Sequence, residues 1–138
     1  MPVLNSFVLD SFALIGYLED EKFADRIEDL LRSARTGEIQ MYLHAIHLGE
    51  IYYISCREQG NAMADLVFSR IKSLPISYID SIAEDLLLKA ALFKAGHAIS
   101  YADAFAAAMA HLYRSTLLTG NPEFKSLEKE NLINVEWL

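Results

Sequence analysis

Residues 3–21 read VLNSFVLDSFALIGYLEDE. The run from Val3 to Leu9 is short, apolar and β-branched enough for a buried strand. Asp10 stops it, and Ser11 is placed to cap the helix that follows, SFALIGYLEDE. The same stretch has no basic leader and carries Asn5 and Asp10 inside its apolar run. That argues against a signal peptide and against a membrane span.

Working outward, FADRIEDLLRSAR (23–35) has the pattern of an amphipathic helix, with Gly37 as its terminator. Glu38 to Ala45 alternates as a strand and feeds a helix from about His47 to Glu58, closed by Gly60. NAMADLVFSRIKSL (61–74) supplies a further helix up to Pro75, and Ile76 to Ile79 a short strand. A helical pattern from Ser81 to Lys94 ends at Gly96, and an alanine-rich helix begins near Ala102. Strands follow at Ser115 to Leu118 and around Ile133 to Trp137. Strands separated by helices of this length predict an α/β fold: a central parallel sheet of about five strands with helices on both sides. No repeat, low-complexity stretch or long linker interrupts it, so residues 1–138 read as a single domain. In such sheets ligands bind beyond the carboxyl ends of the strands, where the strand order reverses.

Composition narrows the classes. Hydrophobic residues make up 53%, which predicts either a dense core or apolar surface left for another subunit. Cys56 is the only cysteine; it excludes an internal disulfide and a multi-cysteine zinc site, and fits a reducing, cytoplasmic setting. The net charge of −7 lacks the basic footprint of nucleic-acid binders. A polyanionic substrate is compatible with it only if metal ions invert the local sign, or if basic residues gather near the site.

Three acids from distant segments fall where the predicted crevice lies. Asp10 follows the first strand; Glu50 sits in HLGEIYYI and Asp103 in SYADAFAAAMA, both in apolar helical surroundings. Alanines 104, 106, 107, 108 and 110 would let the Asp103 helix approach the sheet closely. Each acid also has a plain structural use, as a turn residue or as a complement to a helix dipole. Together they form a costly crowd of like charge unless a cation neutralises it. Oxygen-only ligation suits Mg²⁺ or Mn²⁺, ions that assist water in hydrolysing a phosphodiester. Thr119, Gly120 and Asn121 follow a strand that would end in the same crevice.

The succession VLDSFALIGYL, LGEIYY, ISYADAFAAAMA and LLTGNPEF resembles the PIN-domain ribonucleases, and most of all their VapC-type toxins, over nearly the whole chain. The resemblance implies a Mg²⁺- or Mn²⁺-dependent endoribonuclease that acts on RNA as the toxin of a toxin–antitoxin pair. It also implies a homodimer and a cognate antitoxin protein whose tail blocks the active site. Position by position, Asp10, Glu50 and Asp103 match the family's metal-binding acids; Thr119, and with it Ser11, match supporting hydroxyls. Asn121 stands where the family usually has a fourth acid, so TGNP replaces a TGDP-like turn. Its amide oxygen can still face a cation but brings no charge. A one-metal site, a PIN domain that only binds antitoxin or RNA, and an asparagine introduced to silence a toxic nuclease all remain open.

Arg114 lies eleven positions after Asp103, roughly the same helical face, and is the expected phosphate contact. Arg57, Lys89, Lys94 and Lys125 read as surface charges. Tyr52 and Tyr53 suit core or dimer packing, with stacking on unpaired bases as the alternative. His44, His47 and Glu50 share a spacing of three, but His44 belongs to the preceding strand, which breaks a zinc-binding face. His97 and His111 lack ligand spacing. A phosphotransfer domain with Asp10 as nucleophile would call for a lysine after a later strand, and none is obvious.

Overall fold

The computed structural model describes residues 5–138. Its five strands are β1 (Asn5–Leu9), β2 (Ile39–His44), β3 (Ser77–Ile79), β4 (Thr116–Thr119) and β5 (Asn134–Trp137), in the sheet order β3-β2-β1-β4-β5. Every pairing is parallel, as the alternation of strands and helices predicts. Val3 and Leu4, read as the start of the first strand, lie outside the described residues.

Seven helices connect the strands: α1 (Ser11–Leu18), α2 (Ala24–Arg35), α3 (Ala45–Gln59), α4 (Asn61–Lys72), α5 (Glu84–Gly96), α6 (Tyr101–Leu112) and α7 (Lys125–Lys129). Side chains on a strand alternate between faces, so each face needs its own cover. Phe7, Leu9, Met41, Leu43 and Leu118 point to one side, under Ala13, Leu14, Ile27, Leu31, Leu48 and Ile51 of α1, α2 and α3. Val8 and Leu117 point to the other, under α5, α6 and α7, where Phe93, Phe105, Phe124 and Leu127 close the layer. Burying each such side chain contributes about 1.5–3 kcal/mol before chain entropy is subtracted.

The alanine-rich α6 is the innermost helix. Every residue from Asp103 to Ala110 is buried, because methyl side chains let α5 and the sheet approach from different sides. This close approach carries Asp103, in the first turn of α6, to the carboxyl edge of the sheet.

The sequence reading needs adjustment at four places. Asp10, not Ser11, caps α1: its side chain accepts the backbone N–H of Ala13. Helix α3 begins at Ala45, so Glu50 falls in its second turn, beyond the reach of the N-terminal dipole. Helix α5 starts at Glu84 rather than Ser81. A 3₁₀ turn, Pro122–Phe124, and the short α7 follow β4. Proline is suited to the first position of the 3₁₀ turn, and the Asn121 side chain caps it through the Glu123 N–H. None of the helices described is long and apolar enough to cross a membrane.

Candidate active site

The chain turns back across its own sheet at β1, which has β2 on one side and β4 on the other. Register then does the positioning. Leu9 pairs with Leu118, so the residues just beyond them, Asp10 and Thr119, emerge together at the carboxyl edge. Thr119 Oγ1 donates to Asp10 Oδ2 at 2.5 Å and itself accepts the Asn121 N–H at 3.1 Å. The other Asp10 oxygen holds the Ala13 N–H at 2.9 Å. Asp10 is thus fixed by both oxygens and is 2% exposed.

A crevice of about 540 Å³ opens over this edge. Asp10, Ser11, Glu50, Ser100, Asp103 and Asn121 line its polar side; Phe12, Ile15, Phe23 and Ile54 line the apolar side. Phe12 and Phe23 stack with ring centroids 5.5 Å apart. Gly120 admits the Phe12 ring, since a Cβ there would stand 2.4 Å from Phe12 Cε1. Five carboxylates reach the lining, those of Asp10, Glu19, Glu21, Glu50 and Asp103, and among the described residues no lysine, arginine or histidine does.

The carboxylates register that crowding. Burial pushes the Asp10 carboxyl up to about 6, with the nearby Glu50 charge adding to the rise and the Thr119 and Ala13 bonds opposing it. Burial also raises Asp103, to about 7, reinforced by the neighbouring Glu123 carboxyl and by the charge of Asp10. Ser11 Oγ donates to Glu50 Oε1 at 2.5 Å, which orients that carboxylate across the α1–α3 interface. Ser100 caps α6 by accepting the Asp103 N–H at 3.1 Å.

Asn121 presents its amide as a donor to the acids: Nδ2 reaches Asp103 Oδ2 at 2.9 Å while Oδ1 accepts the Glu123 N–H at 3.1 Å. It donates to an Asp103 lone pair instead of turning an oxygen toward the crevice. Glu123, which the sequence reading passed over, brings a carboxylate to Asp103 from the 3₁₀ turn. The available signal was an acid two residues beyond Asn121, in a turn leaving the strand that ends at Thr119.

The donor set is oxygen throughout, from carboxylates, hydroxyls and one amide, and it fits a hard divalent cation better than zinc. Among the described residues no three His, Cys, Asp or Glu side chains are yet drawn into a closed ligand cluster. Glu50 is turned to Ser11, and Asp103 to Asn121 and Glu123.

Arg114 is placed elsewhere. It lines a separate polar pocket with His111, Ser115, Asn131 and Asn134, past the C-terminal end of α6. Eleven residues of helix amount to about 16 Å along the axis, so a shared face does not bring it to Asp103. Tyr52 donates to Asp65 at 2.6 Å and packs edge-on to Phe68. Arg57 lies over the Tyr53 ring, Lys89 over Phe93 and Lys125 over Trp137; Lys94 donates to the Ile99 carbonyl. His44 and His47 each hold a backbone carbonyl, those of Ser81 and Ala102.

The profile described as PIN domain matches residues 7–130 of the chain. No curated protein matches it in sequence. Among solved structures, VapBC2 from Rickettsia felis bound to a promoter DNA fragment superposes with a TM-score of 0.73 at 16% identity, covering 96% of this chain and 98% of that one. DNA-bound VapBC from Salmonella typhimurium gives 0.73 at 17% identity, covering 97% and 98%. VapC20 of Mycobacterium tuberculosis, a toxin that cleaves the sarcin-ricin loop, gives 0.65 at 16% identity, covering 88% and 94%.

Proposed function

Because the chain belongs to the PIN domain family, we propose that it is a divalent-metal-dependent endoribonuclease acting as the toxin of a toxin–antitoxin pair. One observation carries the reading: among the described residues, five carboxylates and no cationic side chain line the crevice at the strand ends. Burial, with like charge beside it, raises two of them, Asp10 to about 6 and Asp103 to about 7, so their ionised forms are costly without a cation. A cation relieves that cost, and RNA then becomes an acceptable substrate for an acidic protein.

Asp10, Asp103 and Glu50 would hold Mg²⁺ or Mn²⁺, with Glu123 supplying the negative charge that Asn121 lacks. The ion, when bound, supplies positive charge to a phosphodiester and makes water a better nucleophile. The rest is the work of the chain. Thr119 and the Ala13 N–H hold Asp10 in one orientation, Ser11 aims Glu50, and Asn121 steadies Asp103. The Phe12–Phe23 wall offers an unpaired base a surface on which to stack. Arg114, in its separate pocket, does not line this crevice.

A cognate antitoxin is the proposed protein partner. An apolar groove lined by Ile51, Ile54, Met63, Leu66 and Val67 shares Ile15, Glu19 and Ile54 with the crevice. A segment lying in it would reach the carboxylates. A homodimer is proposed on the exposed Ile82, Leu88 and Leu92 side chains, an apolar face on α5 and the segment before it that a second copy would cover. A cytoplasmic setting goes with this reading.

Induced expression in bacteria, native chain beside Asp103→Asn, tests it. Growth arrest with fragmented RNA in the native culture alone is expected. Equal growth with intact RNA in both would contradict the toxin reading.

A further inference from the structure

His47 sits on α3 one turn before Glu50, fully buried at 0% exposure. Its Nε2 lies 2.8 Å from the carbonyl oxygen of Ala102, the residue immediately before Asp103. A carbonyl can only accept, so Nε2 carries the hydrogen and donates it. Nδ1 is then a bare acceptor, and it has no partner. Burial lowers the His47 pKa, which keeps the ring in this neutral form. A leucine or methionine would fill the same space without stranding a buried acceptor. The position therefore favours a side chain that packs poorly in polar terms but makes one particular bond.

That bond joins the two helices that carry the site's carboxylates. Asp103 is held on one side by Ser100, through its own N–H, and on the other by His47, through the preceding carbonyl. The start of α3 is pinned as well. His44 caps it by accepting the Ile46 N–H on Nδ1 and donates from Nε2 to the Ser81 carbonyl at 2.9 Å.

We propose that His47 is a positioning residue: its Nε2–H bond to Ala102 fixes the first turn of α6, and so Asp103, relative to Glu50 on α3, the two carboxylates that would share a divalent cation. The inference rests on the nuclease reading and adds to it a residue that never touches ion or substrate. Supporting groups of this kind set metal affinity by holding ligands in place.

The test is a Mn²⁺ titration of the full chain, followed by the spin-resonance signal of the free ion, with thermal melts of every variant in chelator. His47→Met keeps the volume and loses the donor; His47→Gln returns a donor at the Nε2 position; His47→Asn carries one too short to reach Ala102. His47→Met is expected to weaken Mn²⁺ binding by about 10- to 100-fold, with His47→Gln restoring most of it. A purely structural role would lower the melting temperature and leave the affinity of the folded protein unchanged. If His47→Met does not fold, the Gln and Asn variants decide, and equal affinities in those two overturn the proposal. Native binding matched by a folded His47→Met overturns it alone. Failure of the native chain to bind Mn²⁺ removes the nuclease reading, and this inference with it.

Discussion

Replacing Asp10 by asparagine is expected to stabilise the metal-free protein. The carboxyl rises from 3.8 to about 6 on folding, which sets about 3 kcal/mol against the ionised form at neutral pH. The folded value lies above the unfolded one. The cost is therefore absent below about pH 4, grows between about pH 4 and 6, and is complete above that range. An asparagine keeps the cap to the Ala13 N–H but no longer accepts from Thr119, a loss of about 1 kcal/mol. The net gain at pH 7.5 is about 2 kcal/mol, or about 7 °C in melting temperature for a domain of this size. At pH 4 the gain should be gone and the lost bond should remain. Urea unfolding of both proteins in chelator at the two pH values measures it. Added Mg²⁺ should stabilise the native chain and leave Asp10→Asn nearly unmoved. No gain at pH 7.5, or the same gain at both pH values, would refute the claim that burial penalises the ionised Asp10.

Three further outcomes follow from the same geometry. Asn121→Asp exchanges a donor to Asp103 for a like charge; melts in chelator should show a loss of about 1–3 kcal/mol, recovered by Mg²⁺ to a larger extent than in the native chain. Ala107→Leu forces a larger side chain into a helix with no free side and should cost about 1–3 kcal/mol in urea unfolding. His97 donates from both ring nitrogens, to the Phe93 carbonyl and to Glu130, and its pKa is raised chiefly by Glu130. Its stabilisation is full below the ordinary histidine pKa and disappears as pH rises through the raised value. His97→Gln should therefore lose more at pH 6 than at pH 9, by less than about 1 kcal/mol since Glu130 is exposed.

The sheet and its helices were legible because their residues alternate with unambiguous periods. Phe7 and Leu9 belong to one face and Val8 to the other, and this is visible in the order of the letters. Asp10, Ser11, Thr119 and Asn121 gather at one edge for a reason equally local: parallel strands bring the residues after their carboxyl ends together, and α3 and the alanine-rich α6 then carry Glu50 and Asp103 to the same edge. What escaped was set at finer scale or through space. Asp10 and Ser11 are both good capping residues, and only the strand's true end decides between them. Arg114 shares a helical face with Asp103, but a helical face says nothing of distance along the axis. Glu123 is brought to Asp103 by a 3₁₀ turn whose direction depends on the Asn121 cap. His47 acts through a carbonyl 55 residues away in sequence, which no local pattern announces.

The central claim is that this carboxylate crevice is the centre of a metal-dependent ribonuclease. Incubating the purified chain with a structured RNA tests it most directly, with Mg²⁺ or Mn²⁺, with excess chelator, and beside Asp10→Asn. Cleavage by the native chain that requires the ion and is lost in Asp10→Asn is the expected result. Cleavage that persists in chelator or in Asp10→Asn would contradict the account.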